Sequence, residues 1–105
     1  MPQFAVHLNI NPSTRSNIPY LLDVQTDLIA ELGSRVVVPL YSAEVMKGKV
    51  LRTLMPVFEV EGKLVVMVTP ELAGVPRRIL GRQVADLADA RNEIIAALDL
   101  LITGI

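Results

Sequence analysis

The chain has no cysteine, no tryptophan and one histidine, and only two tyrosines and two phenylalanines among its 105 residues. Without cysteine there is no disulfide, no thiol nucleophile and no thiolate metal site. With His7 alone, a histidine-based zinc centre within one chain lacks the ligands it needs. Charge of one sign is also missing: ten Lys/Arg face eleven Asp/Glu, a net charge of −1. A protein that draws its affinity from phosphate neutralisation carries a basic excess, so general nucleic-acid binding is disfavoured. No apolar run approaches the ~20 residues that span a bilayer. The N-terminus breaks for Asn9 and Asn11 before a signal-type apolar region forms, so the expected address is the cytoplasm.

What is present is apolar matter: 51% of the residues are hydrophobic. A chain of about 100 residues can bury roughly two-thirds of its unfolded surface, so one domain over residues 1–105 with a real core is expected. Phe4, Val6, Leu8 and Ile10 alternate as the inward face of a strand, with Ala5, His7 and Asn9 pointing the other way. Residues 11–17 read as a polar loop, and Tyr20 to Gln25 as a second strand. Arg35 to Leu40 is a β-branched run suited to a buried strand, with Pro39 at its end or at a bulge. Residues 58–68 predict a hairpin turning at Gly62. Thr69-Pro70-Glu71 suggests one helical turn with Thr69 as N-cap, Pro76 closes that segment, and Arg77 to Leu80 return as a short strand.

The period then changes. Leu87, Ile94, Ile95, Leu98, Leu101 and Ile102 recur at helical spacing, and Asp89, Arg91, Asn92, Glu93 and Asp99 fill the opposite face. Asp86 fits the N-cap, Gly104 a left-handed C′ residue, and Ile105 the apolar residue that folds back onto the last turn. The fold class is α+β and mostly β: a small barrel or rolled antiparallel sheet with one C-terminal helix.

Each candidate for chemistry has a plainer alternative. His7 has the type of a general base, yet no nucleophile or acid pattern accompanies it, and a surface or half-buried strand histidine is the simpler reading. Asp23 and Asp27 have the spacing of a carboxylate pair but sit at a strand end, where turn capping is favoured. Arg77 and Arg78 are of a type that meets phosphate, but neighbours on a strand point to opposite faces, which suits a solvated edge. Gly62 and Gly81 are isolated, so no phosphate-cradling loop is present. The terminal helix either covers the core or presents its last turn to a partner.

Three segments read together resemble the CcdB toxins: residues 23–29; Arg35 to Leu40; and Val75-Pro76 with Ile79 to Gly81, followed by Val84 to Ala88, Asn92 to Ile94 and the terminal Gly104-Ile105. They occur in family order and spacing over nearly the whole chain, although the loop from Asn9 to Pro19 is a few residues longer. The resemblance implies a homodimer built on an SH3-like barrel, with a small extra sheet and a C-terminal helix. It implies a non-enzymatic toxin of a type II toxin–antitoxin module, of the kind that serves plasmid maintenance. The target would be the DNA gyrase A subunit, trapped with cleaved DNA, and the neutralising partner a CcdA-like antitoxin. No cofactor, metal, membrane or direct nucleic-acid contact is implied. Carried over by position, Asp99, Thr103, Gly104 and Ile105 form the gyrase-contacting helix end, with Thr26, Leu28, Ile29 and Phe4 near or beneath that surface. For Phe4, Leu28 and Ile29, simple core packing is an equal alternative.

One departure stands out. The family ends Trp-Gly-Ile, and this chain ends Thr103-Gly104-Ile105. An indole offers apolar area and a face for a cation, worth roughly 0.5–2 kcal/mol; Thr103 has only a methyl and a hydroxyl. Two further readings therefore accompany gyrase poisoning. One is a non-toxic or retargeted relic that still dimerises and binds antitoxin. The other is an endoribonuclease toxin like MazF and Kid, which share the fold; the acidic balance and the sparse acid–base inventory count against it.

Overall fold

A computed structural model describes residues 2–29, 33–46 and 51–104. Its strands are β1 (Ala5–Asn9), β2 (Tyr20–Asp23), β3 (Ser34–Ser42), β4 (Val57–Val60), β5 (Lys63–Met67), β6 (Ala73–Pro76) and β7 (Leu80–Asp86), followed by the helix α1 (Arg91–Thr103). They form one antiparallel sheet in the order β4-β5-β3-β2-β1-β7, with β6 also paired to β3. The sheet curls into a half-barrel, so the expected α+β small-barrel class holds.

Alternation decides what each face buries. Val6, Leu22 and Val38 are cross-strand neighbours, as are Leu8, Tyr20, Leu40 and Met67. This face packs with Ile94 and Ala97 of α1 into the main core. The opposite face carries His7, Leu21 and Pro39 in one row and Asp23 and Val37 in the next. That face is also covered: Leu21, Val37 and Leu80 form a second, smaller cluster with Ile18 and Val75. His7 does point away from the main core, but it is buried, not at the surface. Its Nδ1 lies 3.0 Å from the Gly81 carbonyl oxygen. Ile10 falls beyond β1 and is half exposed.

Pro39 lies inside β3, not at its end or at a bulge. On the edge of β3 away from β2, β6 covers Ser34 to Val37 and β5 covers Leu40 to Ser42. The Val24 amide donates to the Val36 carbonyl at 3.0 Å, so in this ladder the Pro39 nitrogen faces the β5/β6 edge. Its missing N–H therefore falls where one neighbour gives way to the next, and its carbonyl still accepts from the Val68 amide at 3.1 Å. A proline is tolerated in a central strand because no ladder bond is lost there.

The β4–β5 hairpin turns at Glu61-Gly62, and both residues have positive φ, 53° and 78°. This is the two-residue turn whose twist matches the strands. Glycine adopts it freely; Glu61 is held there by a bond from Tyr20 Oη to Glu61 Oε1 at 2.7 Å.

Further expectations need correction. Thr69 is not an N-cap: it is the first residue of the 3-10 turn Thr69–Glu71, and its buried hydroxyl donates to the Leu54 carbonyl instead. Arg77 to Ile79 form a 3-10 turn rather than a strand, because the chain must cross from the β3 edge to β1. Asp86 ends β7 instead of capping α1: Ala5 pairs with Asp86, and the Leu87 amide donates to the Phe4 carbonyl at 2.9 Å, keeping the chain extended. The Asp86 carboxylate then accepts from the Ala88 amide at 2.7 Å and starts a short 3-10 turn before Arg91. Within α1, Ala97 is buried and Ile102 is 72% exposed, and the apolar stripe packs on the core as far as Leu98.

Candidate functional site

The segment after β2 is held from below by polar side chains. Arg35 donates from Nε to Asp23 Oδ2 at 2.7 Å and from Nη2 to Asp23 Oδ1 at 3.0 Å, with both side chains fully buried. The same Nη2 reaches the Gln25 carbonyl at 3.3 Å and lies 3.8 Å from Asp27 Oδ1. Gln25 adds two ties: its Oε1 accepts from the Val36 amide at 3.0 Å, and its Nε2 donates to the Ile29 carbonyl at 3.3 Å. From the N-terminal side, the Gln3 amide donates to Asp27 Oδ1 at 2.9 Å.

This scaffold carries a single 3-10 turn, Asp27–Ile29. The Thr26 hydroxyl accepts from the Leu28 amide at 3.3 Å and caps it. Leu28 is 93% exposed and Ile29 is 46% exposed, so core packing is overturned for both. An apolar pair is thus displayed on a base that is polar, buried and cross-linked. Asp23 caps a turn as expected, its Oδ1 accepting from the Gln25 amide at 3.0 Å, whereas Asp27 does not: its carboxylate ties the turn to Gln3 instead.

Phe4 is different. It is buried in the main core, at a φ of 71°, and its amide donates to the Asp23 carbonyl at 2.6 Å. The Arg91 guanidinium stands 5.8 Å from the ring centroid, a cation–π contact at the start of α1. Core packing therefore holds for Phe4, which lies beneath the surface and not on it.

At the other end of α1, Asp99, Thr103 and Gly104 are exposed together with Ile102. Gly104 has a φ of 76°, and its amide returns to the Leu100 carbonyl at 3.0 Å, the left-handed stop expected there. The Thr103 hydroxyl donates to the Asp99 carbonyl at 2.7 Å, so its one donor is spent inside the helix. With no basic residue in the last turn, the free carbonyls and Asp99 make this end electronegative. Ile105 lies outside the described residues.

The predicted site residues thus fall into two exposed groups and one buried residue. Arg91 sits over Phe4, whereas Thr103 lies about 18 Å further along the helix at 1.5 Å per residue. Among the described residues no hydrogen bond joins the Thr26 to Ile29 turn to the helix end. Nor do the described residues gather three or more His, Asp or Glu side chains as a metal site.

A sequence model of the family described as CcdB protein matches residues 3–104. The chain belongs to the CcdB family. Membership assigns it the toxin role of a toxin–antitoxin pair, in a family of gyrase-poisoning toxins rather than catalysts. Among the described residues no helix is long and apolar enough to cross a membrane.

Set against that family, the residues that sequence reasoning missed are supports. Arg35 was hidden inside a β-branched run, although an arginine there has to find a buried partner. Gln3 and Gln25 carry no pattern that would reveal them. Ile102 has core spacing, yet it lies in the last turn, two residues before the glycine stop, and is exposed.

Proposed function

We propose that this chain is a homodimeric CcdB-type toxin, folded as one domain, that binds the A subunit of DNA gyrase and traps the complex holding cleaved DNA. It works in the cytoplasm without catalysis and is neutralised by a CcdA-like antitoxin. The observation that carries this reading is the family match over residues 3–104. Support comes from two exposed apolar groups of the kind that anchor protein partners: Leu28 with Ile29, and Ile102 beside Asp99, Thr103 and Gly104. Ile105 extends the second group by its position in the sequence. A dimer that doubled these groups would present them as one site from both chains.

A second reading is favoured by Thr103. With its hydroxyl bonded to Asp99, this residue brings neither a ring nor a free donor to the partner. Each 1.4 kcal/mol of lost contact is about tenfold in affinity. A scaffold that dimerises and binds antitoxin but no longer poisons gyrase, or poisons a differently shaped pocket, is consistent with this.

The deciding experiment is a gyrase assay that scores lost supercoiling and trapped cleavage, with Thr103→Trp run beside the wild type. Cleavage trapped by the wild type establishes a poison that works without the indole. Silence from the wild type with gain in the variant establishes the relic reading. Silence from both overturns the gyrase assignment for that enzyme.

A further inference from the structure

The long segment between β1 and β2 builds a groove on the face of the sheet opposite α1. Asn9 fixes its base, donating from Nδ2 to Thr14 Oγ1 at 3.0 Å and to the Ile18 carbonyl at 2.8 Å, while its Oδ1 accepts from the Asn11 amide at 3.1 Å. The wall is therefore preformed. Against it stand Val75 and Ile79, enclosing about 480 Å³ with Ile10, Ile18 and Leu21. That volume falls within the roughly 300–1,000 Å³ of small-molecule sites.

The polar content of this groove is one-sided. Among the described residues Arg78 is the only charged one that lines it, and none of them contributes an Asp or Glu to the lining. Arg78 is exposed and forms no ion pair among the described residues. Asn11 also lines the groove and engages its side-chain oxygen with the Ser13 amide at 2.9 Å, which leaves the amide nitrogen as a donor. Apolar walls with Ile10 at 51% and Ile79 at 37% exposure are open to a hydrocarbon body. A guanidinium and an amide N–H in the same lining match a carboxylate.

From this charge complementarity we propose that the groove is a binding site for a small amphipathic carboxylate, its hydrocarbon body between Ile10 and Ile79 and its head on Arg78. The site is separate from both groups assigned to partner contact, and it does not depend on the gyrase reading.

The test is a titration of the full-length protein, followed by amide chemical shifts, with octanoate and with octan-1-ol as the uncharged control. Octanoate should shift amides of residues 9–18 and 75–79, and octan-1-ol should bind roughly tenfold more weakly or worse. Arg78→Gln should bring octanoate down to the level of the alcohol, and Ile79→Asp should abolish binding of both. Both positions are exposed, so an unchanged amide spectrum elsewhere shows that the variants fold. Equal binding of acid and alcohol, retention in Arg78→Gln, or shifts confined to Leu28 and Ile102 would each overturn the assignment.

Discussion

Arg35 grips Asp23 with two parallel bonds, 2.7 and 3.0 Å long, and neither side chain reaches solvent. A bidentate pair of this kind satisfies both carboxylate oxygens and so offsets part of the desolvation of two charges. Removing one partner leaves the other charged and buried. Arg35→Met alone is expected to cost about 3–5 kcal/mol, whereas Asp23→Leu with Arg35→Met should cost far less than the sum of the single changes. Urea unfolding of the two single variants and the double variant checks this, and strict additivity would refute it.

The same pair shows how far the sequence could be read. Period-2 alternation locates β1, a β-branched run locates β3 and Gly62 between apolar flanks locates the β4–β5 hairpin, and the glycine stop of α1 is legible because a left-handed residue after an apolar helix has few alternatives. Register was not legible: nothing local says that Pro39 sits where β6 gives way to β5, or that Ala5 pairs with Asp86 and delays the helix to Arg91. For the helix end the spacing leaves core cover and a presented last turn both open, and it puts Ile102 on the apolar face although Ile102 is exposed. Segment 23–29 stands out by its resemblance, but its support by Arg35, Gln25 and Gln3 depends on side chains far apart in sequence meeting in space.

Leu28 separates contact from stability. At 93% exposure it buries almost nothing within the chain. Leu28→Asp should leave the unfolding free energy within about 0.5 kcal/mol of the wild type. If the turn anchors the toxin on its target, the same change should lower inhibition in the gyrase assay by more than tenfold, the effect of losing about 2 kcal/mol at a hot spot. A stability loss of several kcal/mol would show instead that Leu28 packs within the protein. Unchanged stability with unchanged inhibition would remove the turn from the contact surface.

Two glycines predict opposite responses to a methyl group. A Cβ on Gly81 would lie 2.7 Å from the Leu8 carbonyl oxygen and 2.8 Å from Ile10 Cγ2, and the first of these is backbone that cannot swing away. Gly81→Ala should force β7 off β1 and cost about 1–3 kcal/mol. A Cβ on Gly74 meets nothing within 4 Å. Gly74→Ala should be neutral or stabilise by up to about 1 kcal/mol by restricting the unfolded chain. Denaturant midpoints of the two variants measure the contrast.

Both tyrosines in the chain bond to glutamates, Tyr20 to Glu61 at 2.7 Å and Tyr41 to Glu71 at 2.5 Å. Burial, reinforced by the Glu61 bond and charge, pushes the Tyr20 phenol up to about 12. For Tyr41 the bond to Glu71 leads, then burial, and the phenol again rises to about 12. An unfolded chain gives up these protons near 10 (roughly the free-phenol value). Above pH 10 the folded state therefore holds protons that the unfolded state has lost, so stability falls as pH rises. The contribution is complete below pH 10 and is lost progressively up to about pH 12. With no tryptophan to overlap, near-ultraviolet absorbance follows the phenolates directly. The folded protein should titrate well above the urea-unfolded chain, and Tyr20→Phe should remove half of the amplitude. Tyr20→Phe should also flatten the alkaline decline in stability, because one of the two raised phenols no longer contributes to it. A folded-state midpoint that coincides with the unfolded one would show that neither glutamate holds its phenol.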